Sequence, residues 1–219
     1  MSEVADNLRR LRSEIPAQVQ LLAVSKRQPH ERIQAAYDAG QRDFGENKVQ
    51  ELLDKVDTFP DDLRWHLIGH LQRNKVKFVV PFVHLIHSVD SLRLMNEIEK
   101  QASKIPRIIP VLLQLRIARE ESKFGLDQEA YEEVLTAYLQ GHFPHIELKG
   151  LMGMATNTED QAQIREEFKL LADAYQDLRE RRPEVSVLSM GMSGDMQIAI
   201  EEGSNMVRVG TSVFGPRPV

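Results

Sequence analysis

The chain has 219 residues and no cysteine, which excludes disulfides, thiolate catalysis and thiolate metal sites. A net charge of −5 without a long basic run argues against a nucleic-acid backbone as partner. The longest apolar run, FVVPFVHLI at 78–86, is broken by Pro81 and His84 and falls far short of the roughly 20 residues of a spanning helix. The charged start, MSEVADNLRRLRSEIP, also lacks the apolar core of a signal peptide, so a cytoplasmic protein with no membrane partner is expected.

After an N-terminal helix, the first strand is LLAVSK at 21–26. Alternation puts Leu22, Val24 and Lys26 on one face, so an apolar strand ends on a lysine that points with its core residues. Taken alone, such a lysine reads as an ordinary strand end, its ammonium reaching water over an apolar stem. The helix HERIQAAYDAG follows and closes on Gly40. Further strands are expected at 43–47 (DFGEN), 65–70 (WHLIGH) and 85–90 (LIHSVD). DSLRLMNEIEKQASK is a helix capped by Asp90 or Ser91, followed by strands at 108–115 and 148–154. A long helix, TEDQAQIREEFKLLADAYQDLRERR, is acidic early and basic late, as the helix dipole prefers. The last two strands, at 187–192 and 206–214, flank the helix GDMQIAIEEG.

Eight strands alternating with helices, with no linker or composition break, predict one domain over 1–219 folded as an α/β (β/α)₈ TIM barrel. An open doubly wound sheet is the alternative. It fits less well because the first strand ends in SKRQP rather than a G-x-G-x-x-G turn.

In a barrel, chemistry collects where strands hand over to helices. Such ends carry Lys26, Glu46 and Asn47, His66 and His70, His87 and Asp90, residues 189–195 and residues 208–211. GMSGD (191–195) and VGTSVFG (209–215) follow the last two strands, where barrels frequently hold a phosphate. Ser193 or Gly194 is expected to open a helix there, with Gly210 allowing close approach and Thr211 adding a hydroxyl. Either loop alone reads as a Gly-rich turn; the pair reads as a phosphate site.

A lysine against apolar walls near a phosphate narrows the chemistry to Schiff-base aldolases and proteins of pyridoxal 5′-phosphate (PLP). Arg208, inward with Met206 and Gly210, favours the second class, because a PLP ring offers a pyridine nitrogen to a guanidinium. Pairing of Arg208 with a barrel carboxylate such as Glu46 stays open.

With these residues in place, the chain resembles the pyridoxal phosphate homeostasis proteins, the YggS/PROSC-like family, over nearly its whole length. The motifs stand in order as AVSK (23–26), FGENKVQE (44–51), WHLIGHLQRNKV (65–76), IHSVDS (86–91), ESKFG (121–125), GLMGMAT (150–156), LSMGMSGD (188–195) and VRVGTSVFG (207–215). The resemblance implies a PLP barrel of fold-type III, like the N-terminal domain of alanine racemase. It implies that Lys26 forms the aldimine, that Asn47 lies near the ring, that Arg208 faces the pyridine nitrogen, and that Ser193, Gly194, Gly210 and Thr211 bind the phosphate. Lys123 of ESKFG is the competing attachment point. Arg116 stands where the family usually has an asparagine, and Arg27 and Gln28 where it often has Thr-Lys, so loop details are expected to differ.

The resemblance also implies a role in vitamin B6 and amino-acid homeostasis, with amino acids and apo PLP-enzymes as candidate partners. An arginine at the ring nitrogen weakens the electron sink, and Tyr37, Tyr131, Tyr138 and Tyr175 all fall in helical stretches. A PLP carrier without strong catalysis is therefore expected, and, with no further domain after the eighth strand, a monomer. A weakly acting PLP-dependent amino-acid racemase and a Schiff-base aldolase without PLP are the alternatives.

Overall fold

Every strand of this chain is apolar on the side that meets a helix, and in most of them both faces are buried, the pattern of a parallel sheet covered on each side. The structure is a computed structural model that describes residues 2–119 and 124–216, so Lys123 and most of the ESKFG stretch lie outside the described residues. Helix α1 (Glu3–Glu14) leads into β1 (Gln20–Val24), α2 (His30–Asp38), β2 (Asp43–Glu46), α3 (Val49–Val56) and β3 (Arg64–Leu67). A short 3₁₀ turn precedes α4 (Val76–Val79), β4 (Leu85–Val89), α5 (Leu92–Ala102), β5 (Ile109–Gln114), α6 (Gln128–Leu139) and β6 (Ile146–Met152). The chain continues through α7 (Gln161–Arg181), β7 (Val187–Ser189), α8 (Met196–Glu201), β8 (Met206–Val209) and α9 (Thr211–Phe214). Each strand pairs in parallel with the next, and β8 pairs with β1 to close the barrel. Among the described residues no helix is long and apolar enough to cross a membrane.

Helix ends follow local chemistry. Ser2, Ser91, Asp127 and Asp160 each accept a main-chain N–H in the first turn of α1, α5, α6 and α7. Val4, Leu8 and Leu11 bury one face of α1, which packs on α2 and α9. Asn7 of α1 donates to the Val213 carbonyl at 3.1 Å, and Arg32 of α2 donates to that of Phe214. The N-terminal helix thereby holds the chain segment that follows β8.

Between strands and helices lies a continuous apolar layer that includes Leu21, Ala23, Phe44, Leu67, Leu113, Leu151 and Val207. Inside the barrel, Leu85, Leu112, Met152 and Met206 form a small apolar plug. The interior also holds a polar set, with Asp43, His66, His87, Ser189 and Arg208 all buried.

Several strands are shorter than their apolar runs. β1 ends at Val24, because Arg27 takes a left-handed turn (φ 60°), so Lys26 sits two residues beyond the strand and half-buried. β3 stops at Leu67, which places His66 inside the barrel rather than at its mouth. α8 begins at Met196 with Asp195 as its cap, so Ser193 and Gly194 belong to the preceding loop and not to the helix.

β6 carries an irregularity that alternation does not foresee. Leu148 and Leu151 both belong to the outer apolar layer, three residues apart, while Met152 faces the interior. Gly150 makes this phase change (φ 156°), and the register with β5 shifts beside it. A Cβ at Gly150 would stand 1.7 Å from the Val187 carbonyl oxygen of β7. Gly150→Ala is therefore expected to destabilise the fold by more than the roughly 1–3 kcal/mol of backbone strain alone, read as a lowered urea midpoint at unchanged slope. A midpoint equal to the wild type would contradict this account of β6.

Candidate functional site

The loops after β1, β2, β3, β6, β7 and β8 surround a cavity of about 250 Å³ at the C-terminal end of the barrel. Lys26, Asn47 and Arg208 line it from one set of strands, and Ser193, Gly194, Gly210 and Thr211 from the two Gly-rich loops. All seven candidate site residues thus meet in one place. Val24, Ile68, Met154 and Met192 supply apolar walls. Among the described residues the lining holds two cationic side chains and no carboxylate, in a chain whose net charge is −5.

The Lys26 turn is pinned on both sides. Ser25 donates its N–H to Gly45 at 3.0 Å and its hydroxyl to Glu46 Oε1 at 2.6 Å. Lys55 of α3 reaches in from behind, donating to the Ser25 carbonyl at 3.0 Å and to Glu46 Oε1 and Glu51 Oε1 at 2.8 Å each. Glu51 in turn accepts the N–H of Arg27. Burial pushes the Glu46 carboxyl up, and Lys55 and the Ser25 hydroxyl oppose that shift. Glu46 therefore faces α3, and the alternative of a Glu46–Arg208 pair does not hold. Glu51 and Lys55 are site-shaping residues that the sequence reading missed; their i,i+4 spacing just after FGEN was the available signal.

Arg208 is buried and meets only neutral oxygens. It donates to the Ser189 carbonyl at 2.9 Å, the Ser189 hydroxyl at 2.8 Å and the Gly153 carbonyl at 2.9 Å. Burial pushes its pKa down to about 10, with Asp195 opposing, so the guanidinium remains charged at neutral pH.

In the β7 loop, Asp195 Oδ1 accepts the Met192 N–H at 2.6 Å and closes a tight turn. The N–H groups of Ser193, Gly194, Thr211 and Ser212 have no acceptor among the described residues. Asn47 is set by a close approach: a Cβ on Gly69 would lie 2.3 Å from the Asn47 carbonyl oxygen. Gln28, another residue not singled out as a ligand, lines the cavity at 7% exposure, and its buried Oε1 has no hydrogen-bond partner. Such an atom in a cavity wall fits a polar ligand.

Other candidates lie elsewhere. His66 and His87 are buried beneath the cavity and do not line it. His70 is exposed, bonded to Asp90 at 2.8 Å and stacked on Phe124. Arg116 is exposed and pairs with Asp127 at 3.7 Å. Tyr37, Tyr131, Tyr138 and Tyr175 sit on α2, α6 and α7, away from the cavity. At the opposite end of the barrel, Asp43, His66 and His84 offer ligand atoms within 4.8 Å of one another. Both Asp43 oxygens are taken by Arg64, at 2.7 and 2.6 Å, so this cluster is an ion-pair network.

A profile of the family described as alanine racemase, N-terminal domain, matches residues 1–218. A protein of Vibrio alginolyticus named pyridoxal phosphate homeostasis protein is 40% identical over 232 residues, covering 99% of each chain. One of the same name from Escherichia coli K12 is 37% identical over 231 residues, covering 99% of this chain and 98% of its own. The structure of PipY from Synechococcus elongatus with PLP bound superposes with a TM-score of 0.88 at 36% identity, covering 97% of this chain and all (100%) of PipY. Alanine racemase of Bartonella henselae shares the fold, with a TM-score of 0.77 at 19% identity over 99% of this chain and 63% of its own.

Lys55→Met leaves the buried Glu46 carboxylate without its cation, a loss on the order of 3–5 kcal/mol. Glu46 would then take up a proton in the folded state more readily than in the unfolded one. The folded state binding more protons makes stability rise as pH falls, so the deficit should be larger at pH 8 than at pH 5. Urea unfolding of Lys55→Met at both pH values checks this; a deficit independent of pH would refute the role given to Lys55.

Proposed function

Because the chain belongs to the alanine racemase N-terminal-domain family and matches its pyridoxal phosphate homeostasis members along its whole length, we propose that it binds PLP in this cavity and keeps it in reserve for vitamin B6 and amino-acid balance, without turning over a substrate. One observation carries the reading: a cavity with Lys26 and Arg208 in its wall, main-chain N–H groups without acceptors at one edge and, among the described residues, no carboxylate. That donor set suits a small ligand with an anionic phosphate, an amine-reactive carbonyl and a ring acceptor.

Ser193 and Thr211 would hold the phosphate with their hydroxyls and with the N–H groups of both loops, Gly194 and Gly210 leaving room for it. Lys26 would condense its amine with the aldehyde and release water, an attachment that hydrolysis or another amine reverses. Asn47 and Gln28 would meet the ring's polar edge, and Ile68, Met154 and Met192 would exclude water from its faces. When bound, PLP supplies an aldehyde that captures amines and a ring that withdraws electrons from the carbon they bring. Arg208 limits the second property. A guanidinium only donates, so a ring nitrogen facing it accepts and stays unprotonated, which weakens the electron sink. No tyrosine reaches the cavity among the described residues to serve as a second base opposite Lys26. Capture and release of amines, with transfer of PLP to apo enzymes, suits such a site better than racemisation.

Lys26→Ala is expected to fold but to lose the visible absorbance of the loaded protein and all borohydride-trapped PLP. Peptide mapping of the trapped label to Lys123 would overturn the assignment. Thr211→Val should weaken PLP binding roughly ten- to a hundred-fold, the about 1.5–3 kcal/mol of a hydrogen bond to a charged group. Pyridoxal without phosphate should bind weakly; equal affinity would remove the phosphate site. Loaded protein incubated with L-amino acids in deuterated water should transfer PLP to an apo enzyme with little Cα exchange. Exchange near ~10 s⁻¹, an ordinary enzyme rate, would make the protein a catalyst.

A further inference from the structure

Beneath the cavity, the inward side chains of five strands touch in sequence. Arg208 of β8 lies 2.8 Å from Ser189 Oγ of β7, and that hydroxyl lies 3.2 Å from His87 Nδ1 of β4. His87 Nε2 is 2.9 Å from His66 Nδ1 of β3, and His66 Nε2 is 3.2 Å from Asp43 Oδ1 of β2. Arg64 closes the far end on both Asp43 oxygens. β4 and β7 are not neighbours in the sheet, so the Ser189–His87 contact crosses the barrel lumen.

We propose that Ser189, His87 and His66 form a one-way hydrogen-bond chain, anchored on the Asp43–Arg64 pair, that fixes the guanidinium of Arg208 and so sets what its cavity-facing edge can donate to. They act as positioning residues. The identity of the acceptor in the cavity rests on the PLP reading; the chain itself does not.

The direction follows from its two ends. A guanidinium only donates and an ionised carboxylate only accepts. Arg208 donates to Ser189 Oγ, and the serine proton goes to His87 Nδ1, the nitrogen left bare once both histidines point their protons toward Asp43. His87 then carries its proton on Nε2 and donates to His66 Nδ1. His66 carries its proton on Nε2 and donates to Asp43. Reversal would set a bare imidazole nitrogen against the Asp43 carboxylate and would leave the serine proton without an acceptor. Each link thus dictates the next, and the two histidines share one tautomer.

The electrostatics agree with that arrangement. Burial alone would raise the Asp43 carboxyl, but hydrogen bonds from Arg64 and His66 outweigh it and hold the group far below the usual carboxylate range. Burial holds both imidazoles below their ordinary pKa, and at His87 the neighbouring His66 and Arg208 add to the effect. Neutral rings are what a one-way chain requires. Arg64 also faces His66 and disfavours a proton on it, while Asp43 favours one; His84 packs beside His66, and burial and His66 lower its own pKa. At the other end, Ser189 and Gly153 hold the guanidinium through three hydrogen bonds while Arg208 still lines the cavity.

The test uses the whole protein, first without PLP. Long-range ¹H–¹⁵N NMR of the imidazoles should show His66 and His87 neutral, protonated on Nε2, and unresponsive between about pH 6 and pH 8, where an ordinary histidine titrates. A proton on Nδ1, or a charged ring, at either residue would overturn the chain. His87→Leu should convert the Arg208 guanidinium NMR signals from resolved to averaged and weaken PLP binding about tenfold. His87→Gln keeps an acceptor and a donor at a similar separation, and should restore both to within about twofold. If His87→Leu does not fold, Ser189→Ala removes one hydroxyl and should give the same averaging. Unchanged guanidinium signals in whichever of these variants folds would overturn the positioning role. Failure of PLP to bind the wild type would sink the cofactor reading, while the imidazole and guanidinium signals would still decide the chain.

Discussion

Everything at the mouth of this barrel depends on the pairing of β8 with β1. Leu22 lies beside Arg208 and Ala23 beside Val209, a register that closes the sheet and brings the two ends of the sequence together. Only through it does Lys26, two residues past β1, share a cavity with Gly210 and Thr211, just past β8. The contact is reinforced from outside, where α1 and α2 bond to the carbonyls of α9. Closure in a parallel barrel is a long-range contact of high loop entropy, and here the same contact assembles the site.

Two buried charges near that seam are handled in opposite ways. Glu46 faces outward and is matched by Lys55, so the carboxylate and the Lys26 turn are stabilised together inside the protein. Arg208 faces inward and is hydrogen-bonded by carbonyls and a hydroxyl, with the Asp195 carboxylate acting on it only at longer range. A buried cation held mainly by dipoles keeps much of its field, and Arg208 lines the cavity. An anionic ligand entering there gains from Arg208 and Lys26 together and should stabilise the native state by mass action. The asymmetry explains how an acidic chain can favour an anionic guest.

What alternation and motif order made legible was the architecture and the inward face of β8. Met206, Arg208 and Gly210 share a side by simple periodicity, and the strand–helix rhythm carried the barrel. Strand ends were less legible, because apolar runs continue into the loops: WHLIGH stays apolar past Leu67, so His66 read as a mouth residue although it sits within β3. Gly150 was equally opaque, since its phase change exists only against the Val187 carbonyl of β7. The polar chain from Asp43 to Arg208 joins five strands, and no local pattern encodes which inward side chains meet across a lumen. Lys55 escaped notice because a lysine on an amphipathic helix ordinarily faces water.

The polar half of the interior bears on why the site, as proposed, would favour retention over turnover. A catalyst acting through PLP gains from a protonated ring nitrogen and from acid–base groups that change state during the reaction. Here the group facing the cavity from below is a permanent donor, and the two imidazoles behind it are neutral, buried and locked to a carboxylate that Arg64 keeps ionised. None of these buried groups can take up or release a proton without breaking a hydrogen bond, which costs about 1–3 kcal/mol per unsatisfied group. Lys26, half-buried on a turn at the open mouth, lies outside that chain of hydrogen bonds. Reversible attachment needs only such a residue; proton traffic at a bound carbon needs more than this interior provides.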